Sequence, residues 1–210
     1  TNENCYDSEK GLFAETTEKS LFSQHTNAMA ILSGATEGTQ AKAVAEKMIR
    51  DSSLAQATLY FKFYVFQALK QVGMGGIIPD RLEKWEAFLE KGFTTFPEHG
   101  IESRSDCHAW AAHPIYDFLN ITAGVSSAAP GFKTVTIAPQ PGTLKNIKAK
   151  TFHPYGDIVT SYTKKDNGDF VCRITLPHRL TGILEWNGKS YQLSPGDNKL
   201  ILESEKGYSQ

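Results

Sequence analysis

The sequence predicts a two-part chain, α then β: helices from a double-layered helical barrel, followed by an antiparallel β-sandwich. Three observations predict it. Through residue 123 the apolar residues recur at helical spacing, amphipathic helices alternating with helices apolar nearly all round. Beyond residue 124 the period changes to two, with Asn-Gly pairs between short runs. Between these regimes lies Gly124 to Gly131, rich in Gly, Ser, Ala and Pro, which reads as a linker. The expected domains are therefore 1–123 and 124–210.

Five helices are expected. Leu21, His25, Ala28 and Leu32 share one face of the first, His25 reading as a core histidine, and Gly34 stops it. The second carries Ala41, Val44, Ala45, Met48 and Ile49 on one stripe. The third, about Gln56 to Val72, holds Leu59 to Phe61, Phe63 to Phe66, Ala68 and Leu69 and so has almost no polar face. The fourth follows Pro79, shows Leu82, Trp85, Phe88 and Leu89, and ends at Gly92. The fifth, about Asp106 to Ile121, is apolar with Pro114 inside it, where proline costs about 3 kcal/mol and a kink is expected. An outer layer facing solvent and an inner layer packed on both sides describe a helical toroid. Five helices cannot close one, and the open inner face would be a large apolar patch. The expectation is a fragment.

In the second part Val135 and Ile137 alternate with threonines, and Phe170, Cys172, Ile174 and Leu176 alternate with Val171, Arg173 and Thr175. Ile158, Thr160 and Tyr162 behave alike, as do Leu184, Trp186, Tyr191, Leu193, Leu200 and Leu202. Asn167-Gly168 and Asn187-Gly188 mark hairpins. Such strands, with no helix between them, predict an antiparallel sandwich.

Bulk properties exclude several classes. Hydrophobic residues make up 40% and charged residues 21%, an ordinary globular composition. A net charge of −1 gives no general pull toward nucleic acid or acidic lipid. The longest apolar run, inside 58–66, is broken by Lys62 and is far short of a membrane span. Three cysteines allow one disulfide at most. The opening Thr-Asn-Glu-Asn carries no export signal, which leaves either a protein that is not exported or one whose start has been removed; the open toroid favours removal.

The loop joining the fourth and fifth helices concentrates the chemistry. It runs Gly92-Phe-Thr-Thr-Phe-Pro-Glu98-His-Gly100, then Ser103-Arg-Ser-Asp-Cys-His108-Ala-Trp110-Ala-Ala-His113-Pro114. Aromatics beside a carboxylate suit sugar binding, since the C–H face of a pyranose packs on a ring while the acid reaches a hydroxyl or a water. On composition alone Glu98 reads as a solvated loop glutamate, His108 as a helix-terminal histidine satisfied by backbone, Trp110 as core and His113 as packing. Arg104 is expected to bond Asp106 or Glu98, or to be solvated. His108 and His113 are five apart and do not make a zinc pair. There is no Gly-x-Ser-x-Gly elbow and no phosphate-binding loop; Gly73 to Gly76 is a helix connection. No metal and no cofactor are expected. Lys145, Lys148, Lys150, Lys164 and Lys165 read as a solvated face.

These strings resemble the end of the catalytic domain of the glycoside hydrolase family that contains bacterial α-L-rhamnosidases. Ser23-Gln-His-Thr-Asn-Ala28 is similar to an earlier helix of the same barrel, and Gly131-Phe132 to Ala138-Pro-Gln-Pro141 to the start of that family's C-terminal sandwich. The resemblance covers essentially the whole chain. It implies an (α/α)6 barrel and inverting hydrolysis of terminal α-L-rhamnosides by two acids, of which Glu98 matches the general base. Many members carry a tryptophan directly before that glutamate; here Pro97 stands there, with Phe96 one place earlier. Glu102, in the same loop, ranks below Glu98. The resemblance further implies that His108 contacts a sugar hydroxyl, and Trp110 is the candidate for stacking on sugar, set against its reading as core. The general acid belongs to a motif that this sequence lacks, so the implied partners are a rhamnose-containing glycoside or oligosaccharide and the N-terminal remainder of the polypeptide. The fragment alone is expected to be inactive, and the resemblance favours a periplasmic or extracellular location. The alternatives are a non-catalytic carbohydrate-binding module and a helical scaffold for protein partners. The sandwich is expected to be structural.

Overall fold

A computed structural model describes residues 2–100 and 102–204 and divides the chain into two units, Thr1–Ile115 and Tyr116–Gln210. In the first, α1 (Asn2–Cys5) leads into a hairpin of β1 (Tyr6–Asp7) and β2 (Leu12–Phe13). Helix α2 (Gln24–Leu32) begins at Ser23, whose side-chain oxygen accepts from the Thr26 amide at 3.1 Å. Its buried residues include Gln24, Asn27, Ala28 and Ile31. That face differs from the expected one: His25 is half-buried against the Phe61 ring at 4.2 Å, and Leu21 lies before the helix and is exposed. Two buried amides turn the helix. Asn27 accepts from the Phe13 N–H and donates to the Phe13 and Ser23 carbonyls, while Gln24 donates to Met48 O and accepts from the Ala57 N–H. Apolar periodicity cannot register polar residues that are buried because they are fully bonded.

Helix α3 (Gly38–Arg50) buries Ala41, Val44, Ala45 and Met48, the expected stripe apart from Ile49, which is half-buried. Helix α4 (Lys62–Gln71) starts later than expected, because Ala55 bridges to Ser23 and the Ala57 amide is taken by Gln24. Its buried residues are Val65, Phe66, Ala68 and Leu69, with Phe63 and Tyr64 half-buried, so it is not enclosed all round. Helix α5 (Glu83–Glu90) follows a 3-10 turn at Pro79–Arg81 and buries Trp85 and Phe88 but leaves Leu89 exposed. The expected fifth helix is not one helix. A 3-10 turn at Ala109–Ala112, α6 (Pro114–Asp117) and a π turn at Phe118–Thr122 replace it. Pro114 has no N–H to donate and occupies the first position of α6, where that loss is harmless. His113 packs as expected, with ring centroids 5.3 Å from both Phe66 and Trp85 and Nε2 3.1 Å from the Leu59 carbonyl.

The second unit holds two four-stranded sheets. One has the order β10-β7-β6-β5, all antiparallel, from β5 (Asn146–Thr151), β6 (Ile158–Lys164), β7 (Phe170–Leu176) and β10 (Gly196–Leu202). The other has the order β3-β4-β8-β9, from β3 (Val125–Ser127), β4 (Thr134–Ile137), β8 (Thr181–Trp186) and β9 (Lys189–Leu193). Here β4 and β8 run parallel, so the expected all-antiparallel arrangement is corrected to a mixed one. The segment read as a linker carries β3 and the start of a 3-10 turn at Pro130–Phe132. Both sheets contribute to one core, with Val135, Ile137, Leu184 and Leu193 from the second and Ile158, Tyr162, Cys172 and Leu176 from the first. The buried Tyr162 hydroxyl donates to the Ala123 carbonyl at 2.8 Å. Asn187 and Gly188 both have positive φ, as a two-residue type I′ hairpin demands, whereas of the Asn167-Gly168 pair only Gly168 does, within a longer turn.

Burial pushes the Cys172 thiol up to about 12, so it stays protonated and unreactive at neutral pH. A disulfide-exchange reagent at pH 8 is expected to label exposed Cys107 first and half-buried Cys5 more slowly, with Cys172 reacting only after denaturation. Three equally fast thiols in the native protein would contradict this core.

Candidate functional site

The loop after α5 is shaped by its own backbone. At the helix end the Phe93 amide bonds Phe88 O and the Gly92 amide bonds Leu89 O, with Gly92 at φ +81° and the Phe88 and Phe93 rings in contact at 5.6 Å. The chain then doubles back. The Glu98 amide bonds Ser105 O at 2.9 Å, the His108 amide bonds Phe96 O at 2.8 Å, and the Thr95 hydroxyl bonds Asp106 O at 2.7 Å. The turn between these arms is closed by the Ser103 amide on Gly100 O and the Ser103 hydroxyl on Ser105 O. Pro97 is buried and, lacking an amide proton, leaves no unpaired donor there.

Glu98 is only 7% exposed. One guanidinium nitrogen, Nη2 of Arg104, donates to both of its oxygens, at 2.8 and 3.1 Å, and Nε2 of His99 lies 3.9 Å from Oε2. Arg104 therefore takes Glu98 rather than Asp106. Its own side chain is 82% exposed, so the ion pair is open to solvent on one side. A carboxylate oxygen has about two acceptor positions, and the guanidinium uses one on each, which leaves an acceptor position on either oxygen. Glu102 is exposed. The site thus places a buried, oriented carboxylate beside an arginine.

His108 and Trp110 leave the facing arm and join two aromatics that sequence reasoning assigned to a buried helix. The Tyr60 ring lies 5.7 Å from His108 and 5.2 Å from Trp110, and Tyr64 lies 5.8 Å from Trp110. Trp110 is 45% exposed, so it is not core. Tyr60 and Tyr64 were missed because their rings matched the apolar pattern; the signal available was two hydroxyl-bearing rings at i and i+4, polar tips that suit a wet surface. Among the described residues no group of three or more His, Cys, Asp or Glu side chains is arranged to hold a metal. A groove of roughly 740 Å³ in this unit is lined by α3 and residues between Lys10 and Leu54, and does not include Glu98.

Comparison with known proteins follows the same division. Residues 124–200 match the family model described as the bacterial alpha-L-rhamnosidase C-terminal domain. Among solved structures, the rhamnosidase of Bacillus sp. GL1 superposes with TM-score 0.72 at 23% identity, over 88% of this chain and 21% of that one. The α-L-rhamnosidase of Dictyoglumus thermophilum gives TM-score 0.75 at 16% identity, over 97% of this chain and 27% of that one. That of Streptomyces avermitilis, solved in complex with L-rhamnose, gives 0.70 at 16% identity, over 89% and 23%. At these identities the likeness is one of fold, and the chain spans about a quarter of the length of those proteins. No curated protein sequence matches significantly. Residues 124–200 therefore match the bacterial alpha-L-rhamnosidase C-terminal domain, and the chain has the fold of the corresponding part of solved α-L-rhamnosidases.

Proposed function

We propose that this chain is the base-supplying part of an inverting α-L-rhamnosidase, its general base being Glu98. In this reading residues 1–123 complete an (α/α)6 catalytic barrel and 124–210 form a β-sandwich. The observation that carries it is the buried Glu98 carboxylate, gripped by Arg104 on a loop that presents His108 and Trp110 beside two tyrosines. The family-model match of residues 124–200 and the L-rhamnose in the Streptomyces avermitilis enzyme support the choice of sugar.

Inversion needs two carboxyl groups roughly 6.5–9.5 Å apart. An acid from another part of the polypeptide protonates the departing glycosidic oxygen. A water held on a free lone pair of Glu98 attacks the anomeric carbon from the opposite face, its proton passes to Glu98, and the sugar leaves as the β-anomer. Arg104 holds the carboxylate plane, so that one lone pair keeps its direction toward the water. His108 bonds a sugar hydroxyl, and Trp110 with Tyr60 and Tyr64 offers ring faces to the C–H side of the pyranose. A periplasmic or extracellular location belongs to the same proposal. Glu98→Gln in the complete enzyme, assayed on an aryl α-L-rhamnoside, tests it; turnover near that of the parent rejects Glu98.

A further inference from the structure

Strand register gathers three cations that the sequence scatters. On the solvent face of the β10-β7-β6-β5 sheet, Lys148 pairs with Ser161, Ser161 with Arg173, and Arg173 with Lys199, forming one row across all four strands. The three cations are exposed. Arg173 and Lys199 stand directly opposite each other, an arrangement of like charges that destabilises a sheet. Of the nearby carboxylates, Asp157 pairs with Lys150 at 3.0 Å, and Asp197, which accepts from the Thr175 hydroxyl at 2.6 Å, leaves one negative charge beside the three cations. Among the described residues none forms an ion pair with Lys148, Arg173 or Lys199. On the same face Ser161 and Arg173, with Thr163 and Val171 of the neighbouring row, line a concavity of roughly 360 Å³ on β6 and β7.

We infer that this face binds an acidic glycan, a uronate-bearing chain whose carboxylates sit on Lys148, Arg173 and Lys199 and whose hydroxyls bond Ser161 and Thr163. The row crosses three inter-strand gaps of about 4.8 Å each, which matches an extended polymer better than one small anion. Hydroxyls interleaved with cations suit a ligand carrying both carboxylates and alcohols. Nucleic acid fits poorly, because neither this row nor its two neighbours carries an aromatic ring for bases to stack on. The ligand supplies the counter-charge that Asp197 alone does not balance. This inference does not depend on Glu98.

The test is calorimetric titration of the 210-residue chain with oligogalacturonate at low salt, beside the carboxyl-reduced oligomer and a single-stranded DNA of equal charge. Saturable binding of the uronate is expected, weakened about tenfold or more by added salt and by the double substitution Arg173→Gln with Lys199→Gln. That double variant is expected to melt no lower than the parent, since it removes a repulsion, and Lys148→Gln provides an independent weakening of affinity. The inference is overturned by no uronate binding, by equal affinity for the reduced oligomer, by DNA binding as tightly, by unchanged affinity in both variants, or by a lower melting temperature of the double variant.

Discussion

Glu98→Gln in the complete enzyme is expected to lower kcat by about 10²- to 10⁴-fold while leaving KM and the melting temperature near parental values. Glutamine fills the same volume and keeps one carbonyl oxygen for Arg104 Nη2; it gives up the bond to the second oxygen and the charge pairing with an arginine that is itself largely exposed, while the two arms of the loop stay joined by their backbone bonds. What it cannot do is accept a proton. At 1.36 kcal/mol per factor of ten, the loss amounts to about 3–5 kcal/mol of transition-state stabilisation. Steady-state kinetics with an activated aryl rhamnoside, together with circular dichroism of the variant, separate this outcome from misfolding. A drop in kcat that came with a collapsed melting transition would instead mean that the Glu98–Arg104 pair only holds the loop.

Gly124→Ala is expected to destabilise the second unit by about 2–5 kcal/mol. Gly124 has φ +78°, where any L side chain costs roughly 1–2 kcal/mol. An added Cβ would also overlap both Ala138 C and Pro139 N. Those are backbone atoms, held in place by the Ala138 amide on Gly124 O, and relieving such overpacking typically costs a further 1–3 kcal/mol. For a unit of this size each kcal/mol moves the melting temperature by about 4–8 °C. Gly131→Ala is the control: φ is +71° but no heavy atom lies within 4 Å of its added Cβ, so only the backbone strain remains. If the two alanine variants melt together, the close approach of residue 124 to the 138–139 peptide is not structural.

The second unit was more legible than the first, for a physical reason. A strand with one buried face shows period two whatever its neighbours do, so Val135/Ile137, Ile158/Thr160/Tyr162 and Phe170/Cys172/Ile174/Leu176 all face the core as their alternation requires. Pairing order is not carried by that alternation, and the parallel β4–β8 contact was invisible to it. In the first unit α3 followed its stripe because its core positions are all apolar. For α2 the buried Gln24 and Asn27 reversed the reading, and for α4 the bonds made by Ala55 and Ala57 cut off the expected first turns. Pro114 announced a kink, but the break into 3-10, α and π turns depends on tertiary packing around His113.

For the site, the Phe96 to His108 segment was recognisable as a string, whereas its geometry was not. Nothing in the order Glu98, His99, Glu102, Arg104, Asp106 says which carboxylate the arginine takes; the crossed bonds between residues 96–98 and 105–108 decide it. Trp110 read as core because a continuous helix was expected through it, and once that helix is broken the ring stands at the surface beside Tyr60 and Tyr64.

The role of Glu98 is tested most directly by chemical rescue. In the complete enzyme carrying Glu98→Gly, azide can take the place of the attacking water, and it needs no base to remove a proton. The account predicts a nearly inactive variant whose turnover is restored by azide, with the product identified by proton NMR as the inverted β-rhamnosyl azide. A Glu98→Gly enzyme that hydrolyses rhamnoside at the parental rate without azide, or a rescued product of retained configuration, would contradict it.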